Sequence, residues 1–79
     1  MNKFRALTNS RDAILDILRQ QRAYAHEVHG AMVRRGIAIS ITRVYQHLRR
    51  LEEDGLAVSE RVRTGRACNR RRYYQAVHP

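Results

Sequence analysis

The stretch "SITRVYQHLRRLEEDGLAVSERV" constrains the fold of this chain more than any other. Ile41, Val44, Leu48 and Leu51 recur at i, i+3, i+7 and i+10, the spacing of a single helical face. Ser40 offers N-cap chemistry, and Ile39 before it can staple onto Val44. Gly55 suits the left-handed residue just past a helix, with Leu56 able to contact Leu51 in a Schellman pairing. The pattern then switches to a period of two, setting Leu56, Val58 and Val62 against Ala57, Ser59, Arg61 and Arg63, with Glu60 the one polar residue on the apolar side. A helix over about 41–54 therefore runs into a strand expected to turn Leu56, Val58 and Val62 inward.

Upstream, Thr8, Asn9 and Ser10 all offer N-cap chemistry to a first helix over about 11–22, whose stripe is Ala13, Ile14, Ile17 and Leu18. Leu15 lies off that stripe, so it either packs against the N-terminal arm or meets a partner chain. A second helix over about 25–35 aligns Ala25, Val28, Ala31 and Met32 and ends at Gly36. Ile37 and Ile39 then alternate with Ala38 in a short extended crossing with two side chains turned inward. Downstream, "RYYQAV" is a second β-prone run, separated from the first by a loop carrying Thr64, Gly65 and Asn69. Tyr73 and Tyr74 fall on opposite faces of that strand. Three helices followed by a two-stranded β-hairpin wing give an α+β, mainly α, winged helix-turn-helix domain over 10–79 behind an arm over 1–9.

Seventy-nine residues allow one modest core, because a chain this short buries only about 60% of the surface that its unfolded form exposes. A lone cysteine, Cys68, excludes an intramolecular disulfide and any zinc site needing two thiolates, and points to a reducing compartment. Met1 to Leu7 is basic but runs into polar "TNS", so neither a signal peptide nor a membrane span is expected, and the location expected is the cytoplasm, at the nucleoid.

Charge speaks about partners. Sixteen basic residues, fifteen of them arginine, stand against seven acidic ones and give a net charge of +9. Six of these arginines lie in "RVRTGRACNRRRYYQ", the footprint of a phosphate binder. Opposite the apolar stripe of the third helix, Thr42, Arg43 and Gln46, with Ser40 at the tip and Tyr45 on the flank, are the residues expected to read base edges. Arg49 and Arg50 lie farther along, and either meet DNA phosphates or pair with Glu53 and Asp54 four residues on. Acidic Glu52, Glu53 and Asp54 suit the far end to staying outside a groove. Arg61, Arg63, Arg66, Arg70, Arg71 and Arg72, over a wing of 61–72, are expected on the sugar-phosphate backbone or in the minor groove.

"TRVYQHLRRLEEDGLAVSE" followed by "RRRYYQAV" resembles the recognition helix and wing of PadR-like transcriptional regulators, whose pattern is a Leu-Tyr-Pro step, a Leu-x-Arg-Leu-Glu run, Gly-Leu and an Arg-Lys-Tyr-Tyr-x-Leu-Thr strand. "YAHEV" is similar to the start of that family's second helix, and the resemblance spans about Ile14 to Val77. It implies a sequence-specific regulator, a repressor by expectation, with Thr42, Tyr45 and Gln46 in the major groove of double-stranded DNA and the wing arginines on the backbone. Gln46 stands where the family has proline, and Ala76 and Val77 replace its Leu-Thr step. The family's C-terminal helix builds its dimer and effector pocket. No such helix follows within this sequence, so an effector is not expected and a homodimer is expected through Phe4, Leu7 and Leu15.

Other constellations are weaker. His26 and His29 at i, i+3 could join Glu27 or Cys68 around a metal, but the ligand set is incomplete and no metal or cofactor is expected. Cys68 among arginines invites a lowered thiol pKa and redox chemistry. There is no phosphate cradle, carboxylate pair or nucleophile–base arrangement, so no enzyme is expected. An architectural or replication and partition protein with weak sequence preference is the alternative. A module meeting RNA or an acidic protein is the third.

Overall fold

The computed structural model describes residues 10–63 and 70–77. Its elements are α1 (Ser10–Gln20), β1 (Ala23–Tyr24), α2 (Ala25–Arg34), α3 (Ile41–Glu53), β2 (Ala57–Arg63) and β3 (Arg70–Ala76). The strands form one antiparallel sheet in the order β1-β3-β2. Three helices and a hairpin wing are as the sequence implies, and β1 is an addition. Ala23 pairs with Tyr74 and Tyr24 with Tyr73, which ties the α1–α2 connection to the wing. That pairing also explains why α1 stops at Gln20 rather than at about residue 22.

Both predicted glycine stops form. Gly36 and Gly55 adopt φ of 81° and 78°, the left-handed region that glycine enters at no steric cost. Ile37 N–H donates to the Met32 carbonyl at 2.9 Å and Gly36 N–H to that of Val33 at 2.9 Å; Leu56 N–H to Leu51 at 2.9 Å and Gly55 N–H to Glu52 at 3.1 Å repeat the motif after α3. These are complete Schellman closures that satisfy the last carbonyls of each helix. The crossing between the helices turns Ile37 and Ile39 onto the core, and the Nε2–H of His29 donates to the Ile39 carbonyl at 2.9 Å.

The core joins Ile14, Leu15, Ile17 and Leu18 of α1, Val28 and Met32 of α2, and Val44, Leu48 and Leu51 of α3, closed from the sheet side by Ala57, Tyr74 and Ala76. Two expectations are overturned here. Leu15 is only 9% exposed and belongs to the core, so it is not a partner surface. α1 is covered by α2, α3 and β3 together, which widens its buried arc beyond a single stripe. Phe4 and Leu7 lie outside the described residues.

The second correction concerns β2. Ala57 is 2% exposed, whereas Val58 is 54% and Leu56 37% exposed. Over 56–59 the chain therefore turns Ala57 and Ser59 inward and presents Leu56 and Val58 outward, the reverse of the expected alternation, while farther along Val62 is half-buried and Arg61 and Arg63 are exposed, as expected. The register pairs Ala57 with Ala76 and Ser59 with Tyr74, and directly opposed residues share a face. Two alanines let the hairpin backbone approach the helices closely, while Tyr74 supplies the bulk. Tyr73, as expected, takes the other face.

Candidate nucleic-acid interface

α3 begins at an N-cap in which the Arg43 N–H donates to Ser40 Oγ at 3.1 Å. With Val44, Leu48 and Leu51 fully buried, the opposite face of α3 is held outward by packing. Thr42, Arg43, Tyr45, Gln46, Arg49 and Arg50 are all exposed there, Tyr45 by 50%. The expected base-reading residues thus share one surface with Ser40 at its amino end. Ser40 is exposed too, though its oxygen is engaged in capping.

The two flanks of that face differ in chemistry. Toward α1, Arg11, Arg43, Gln46, His47, Arg50 and Asp54 line a cleft of about 590 Å³. Toward the sheet, Tyr24, His26, Tyr45, Arg71, Arg72 and Tyr74 border another of about 590 Å³. His26 packs edge-on to Tyr45 with ring centroids 6.4 Å apart. Arg11, Tyr24 and His47 are not among the expected site residues, and His26 enters the sequence reading only beside His29 as a weak metal candidate. None of them carries a sequence signal for this surface beyond its type, because each reaches α3 from another element or from its margin.

The acidic end of α3 is occupied by the fold itself. Arg11 Nη2 lies 2.8 Å from Asp54 Oδ2. Ser59 Oγ donates to Glu52 Oε2 at 2.7 Å and accepts from Arg72 Nη1 at 2.8 Å. Asp54 therefore pairs across to α1, and not with Arg50. Among the described residues neither Arg49 nor Arg50 forms an ion pair, which leaves both for an outside anion.

The wing divides its arginines. Arg71 lies over the Tyr24 ring at 4.4 Å, Tyr24 meets Tyr73 edge-on at 5.3 Å, and Arg22 covers Tyr73 at 4.9 Å. This cation–π ladder locks β1 onto β3. Arg71 and Arg72 are strand residues with partners in the fold, and not groups at the hairpin tip. Arg61 and Arg63 are exposed on β2, and the register sets Arg61 opposite Arg72 and Arg63 opposite Arg70. Like charges directly opposed destabilise a hairpin, so the Arg61–Arg72 pair gains from a bound polyanion. Arg66, Cys68 and the side chain of Arg70 lie outside the described residues.

Burial holds the His47 imidazole below its ordinary 6.5, and the Arg43 and Arg11 guanidiniums push the same way. Burial likewise raises the Tyr74 phenol above its ordinary 10.0, with Glu52 adding to it and Arg72 and Arg49 opposing. The His47 shift has a sign that can be checked. The unfolded chain protonates this histidine first, so its stabilising contribution is complete above about pH 6.5 and is lost as pH falls below that value. His47→Gln should therefore show a smaller drop in melting temperature between pH 7.5 and 5.5 than the parent, and an equal drop would refute the assignment.

No group of three or more His, Cys, Asp and Glu side chains gathers as a metal site among the described residues. No helix among them is long and apolar enough to cross a membrane.

An outward-facing helix preceded by a turn and followed by a basic hairpin places the chain in the winged-helix class. Residues 14–77 match the Transcriptional regulator PadR-like family, and the chain belongs to that family. A PadR-like transcription factor from Bacteroides fragilis is similar over 85% of this chain and 64% of its own, with a TM-score of 0.75 and 24% identity, a likeness of fold. A PadR family transcriptional regulator from Eggerthella lenta is similar over 85% of this chain and 62% of its own, with a TM-score of 0.69 and 30% identity. The chain spans under two thirds of either relative. No curated protein matches it.

Proposed function

We propose that this chain is a sequence-specific, double-stranded DNA-binding transcriptional regulator, a repressor by mode of action. The observation that carries the reading is the uncovered face of α3, where Thr42, Arg43, Tyr45, Gln46, Arg49 and Arg50 stay exposed beside a wing of opposed arginines. Family membership supports it. The amino end of α3 enters the major groove, where Gln46 can bond bidentately to adenine, Arg43 to guanine, and Thr42 can meet a thymine methyl. Wing arginines grip the backbone or the minor groove and set register.

The binding unit is residues 10–79, with 1–9 as an arm, acting in the cytoplasm at the nucleoid. Two copies on a palindromic or repeated site double the contacts and fix half-site spacing. Because Leu15 is buried, that pairing uses other residues, with Phe4 and Leu7 of the arm as candidates.

Selection of bound fragments from a random duplex pool tests the reading. A short motif, repeated with fixed spacing, is the expected result; uniform recovery would favour an architectural protein, and equal retention of RNA would favour the interaction module. Gln46→Ala should alter the selected motif and cost about 1–3 kcal/mol on the parent site while leaving the salt dependence nearly unchanged. An unaltered motif would remove Gln46 from the reading set.

A further inference from the structure

We infer that Asp54 is an internal stand-in for a DNA phosphate, holding Arg11 in reserve beside α3, and that duplex binding exchanges this carboxylate for backbone phosphate. The inference rests on the proposed DNA-binding reading and adds to it a residue that restrains affinity and one on α1 that supplies it.

Geometry carries the argument. Positions 43, 47, 50 and 54 run along one strip of α3, and Arg11 of α1 reaches that strip to meet Asp54 at 2.8 Å. Arg11, Arg43, His47 and Arg50 line the same cleft, so Asp54 is the single acidic group among its lining residues. With His47 disfavoured as a cation, the cleft presents three guanidiniums and one carboxylate. Two further ion pairs among the described residues, Arg22 with Glu60 and Arg35 with Asp16, do not line it.

The pair is suited to exchange. Its side chains are 36% and 40% exposed, and partners this open to water hold each other weakly. A phosphate between Arg11 and Arg50 offers the guanidinium an equivalent charge-assisted bond. While the pair is closed, Asp54 cancels one cation of the cleft. Once it opens, Arg11 neutralises one further phosphate and releases its counterion. The effect falls on DNA of every sequence, because backbone contacts carry no base information.

The test is duplex binding by fluorescence anisotropy across salt concentrations, with the full chain. Asp54→Asn should tighten binding about fivefold at 0.15 M salt, the cost of opening an exposed ion pair, and leave the slope of log K against log salt nearly unchanged, because Arg11 meets its phosphate in parent and variant alike. Arg11→Ala should weaken binding, and Asp54→Asn placed on Arg11→Ala should change it less than about twofold. Asp16→Asn removes the same charge away from the cleft and should also stay within about twofold. Melting curves confirm that each variant is folded, and Arg11→Gln repeats the cycle should the alanine variant unfold.

A fivefold gain that persists without Arg11, or that Asp16→Asn reproduces, would make Asp54 a contributor to the general field and overturn the inference while leaving the DNA-binding reading intact. No gain from Asp54→Asn in a chain that binds duplex would overturn it equally. Failure of the parent chain to bind any duplex at low salt would overturn both.

Discussion

Leu48→Ala should lower the stability of this domain by about 2–5 kcal/mol, the range for truncating a fully buried leucine where neighbours cannot close the cavity. Leu48 is 0% exposed and sits at the centre of the α3 stripe, between Val44 and Leu51, where α1, α2 and the sheet meet it. A chain of 79 residues has a total stability of roughly 4–12 kcal/mol at ordinary values per residue. The single change therefore removes a large share of it, and the melting temperature should fall by roughly 10 °C or more. Val58→Ala is the informative partner experiment. Val58 is 54% exposed, so its truncation should stay within about 0.5 kcal/mol. A loss at Val58 as large as that at Leu48 would mean that β2 turns Val58 inward after all.

That pair of substitutions also marks where the fold was legible in the residues and where it was not. α3 was readable because a single side chain out of phase would leave an apolar group in water, and its period, cap and glycine stop all agree. The start of β2 is not legible in this way, because apolarity there does not mark burial. Ala57 and Ala76 are the inward pair, and alanine carries little hydrophobic signal beside valine. What selects alanine is the close approach of backbone to helix, a tertiary property that no single strand displays. β1 was missed for a related reason: two residues have no period, and Ala23 and Tyr24 become a strand only because β3 arrives beside them. Leu15 lies one position off a stripe, but a helix covered from several sides has no fixed stripe width.

The site was legible to a similar depth. Thr42, Arg43, Tyr45 and Gln46 occur together on the exposed face because α3 alone determines their placement. Arg11 and His26 join that surface from α1 and α2, and their contribution depends on helix packing. For the wing, sequence counts arginines but not their partners. Arg71 on Tyr24 and Arg72 on Ser59 are already engaged, which shifts the expected grip on DNA toward Arg49, Arg50, Arg61 and Arg63.

Replacing those four arginines by alanine should weaken binding to every duplex on the order of 10³-fold at 0.15 M salt. Each lost phosphate contact removes about 0.9 from the slope of log K against log salt, so the slope should flatten by about 3.6. All four are exposed and none forms an ion pair among the described residues, so their loss leaves the core untouched. Arg61 is paired opposite Arg72 across the hairpin, and removing one member of that like-charged pair should hold or raise the melting temperature. Affinity and stability are thus expected to move in different directions, which separates loss of contact from loss of fold. A folded quadruple variant that retained the parent slope would place the phosphate contacts elsewhere on the molecule. A variant that melted early would show instead that these arginines support the hairpin, and the anion that the opposed Arg61 and Arg72 invite would no longer be needed to account for them.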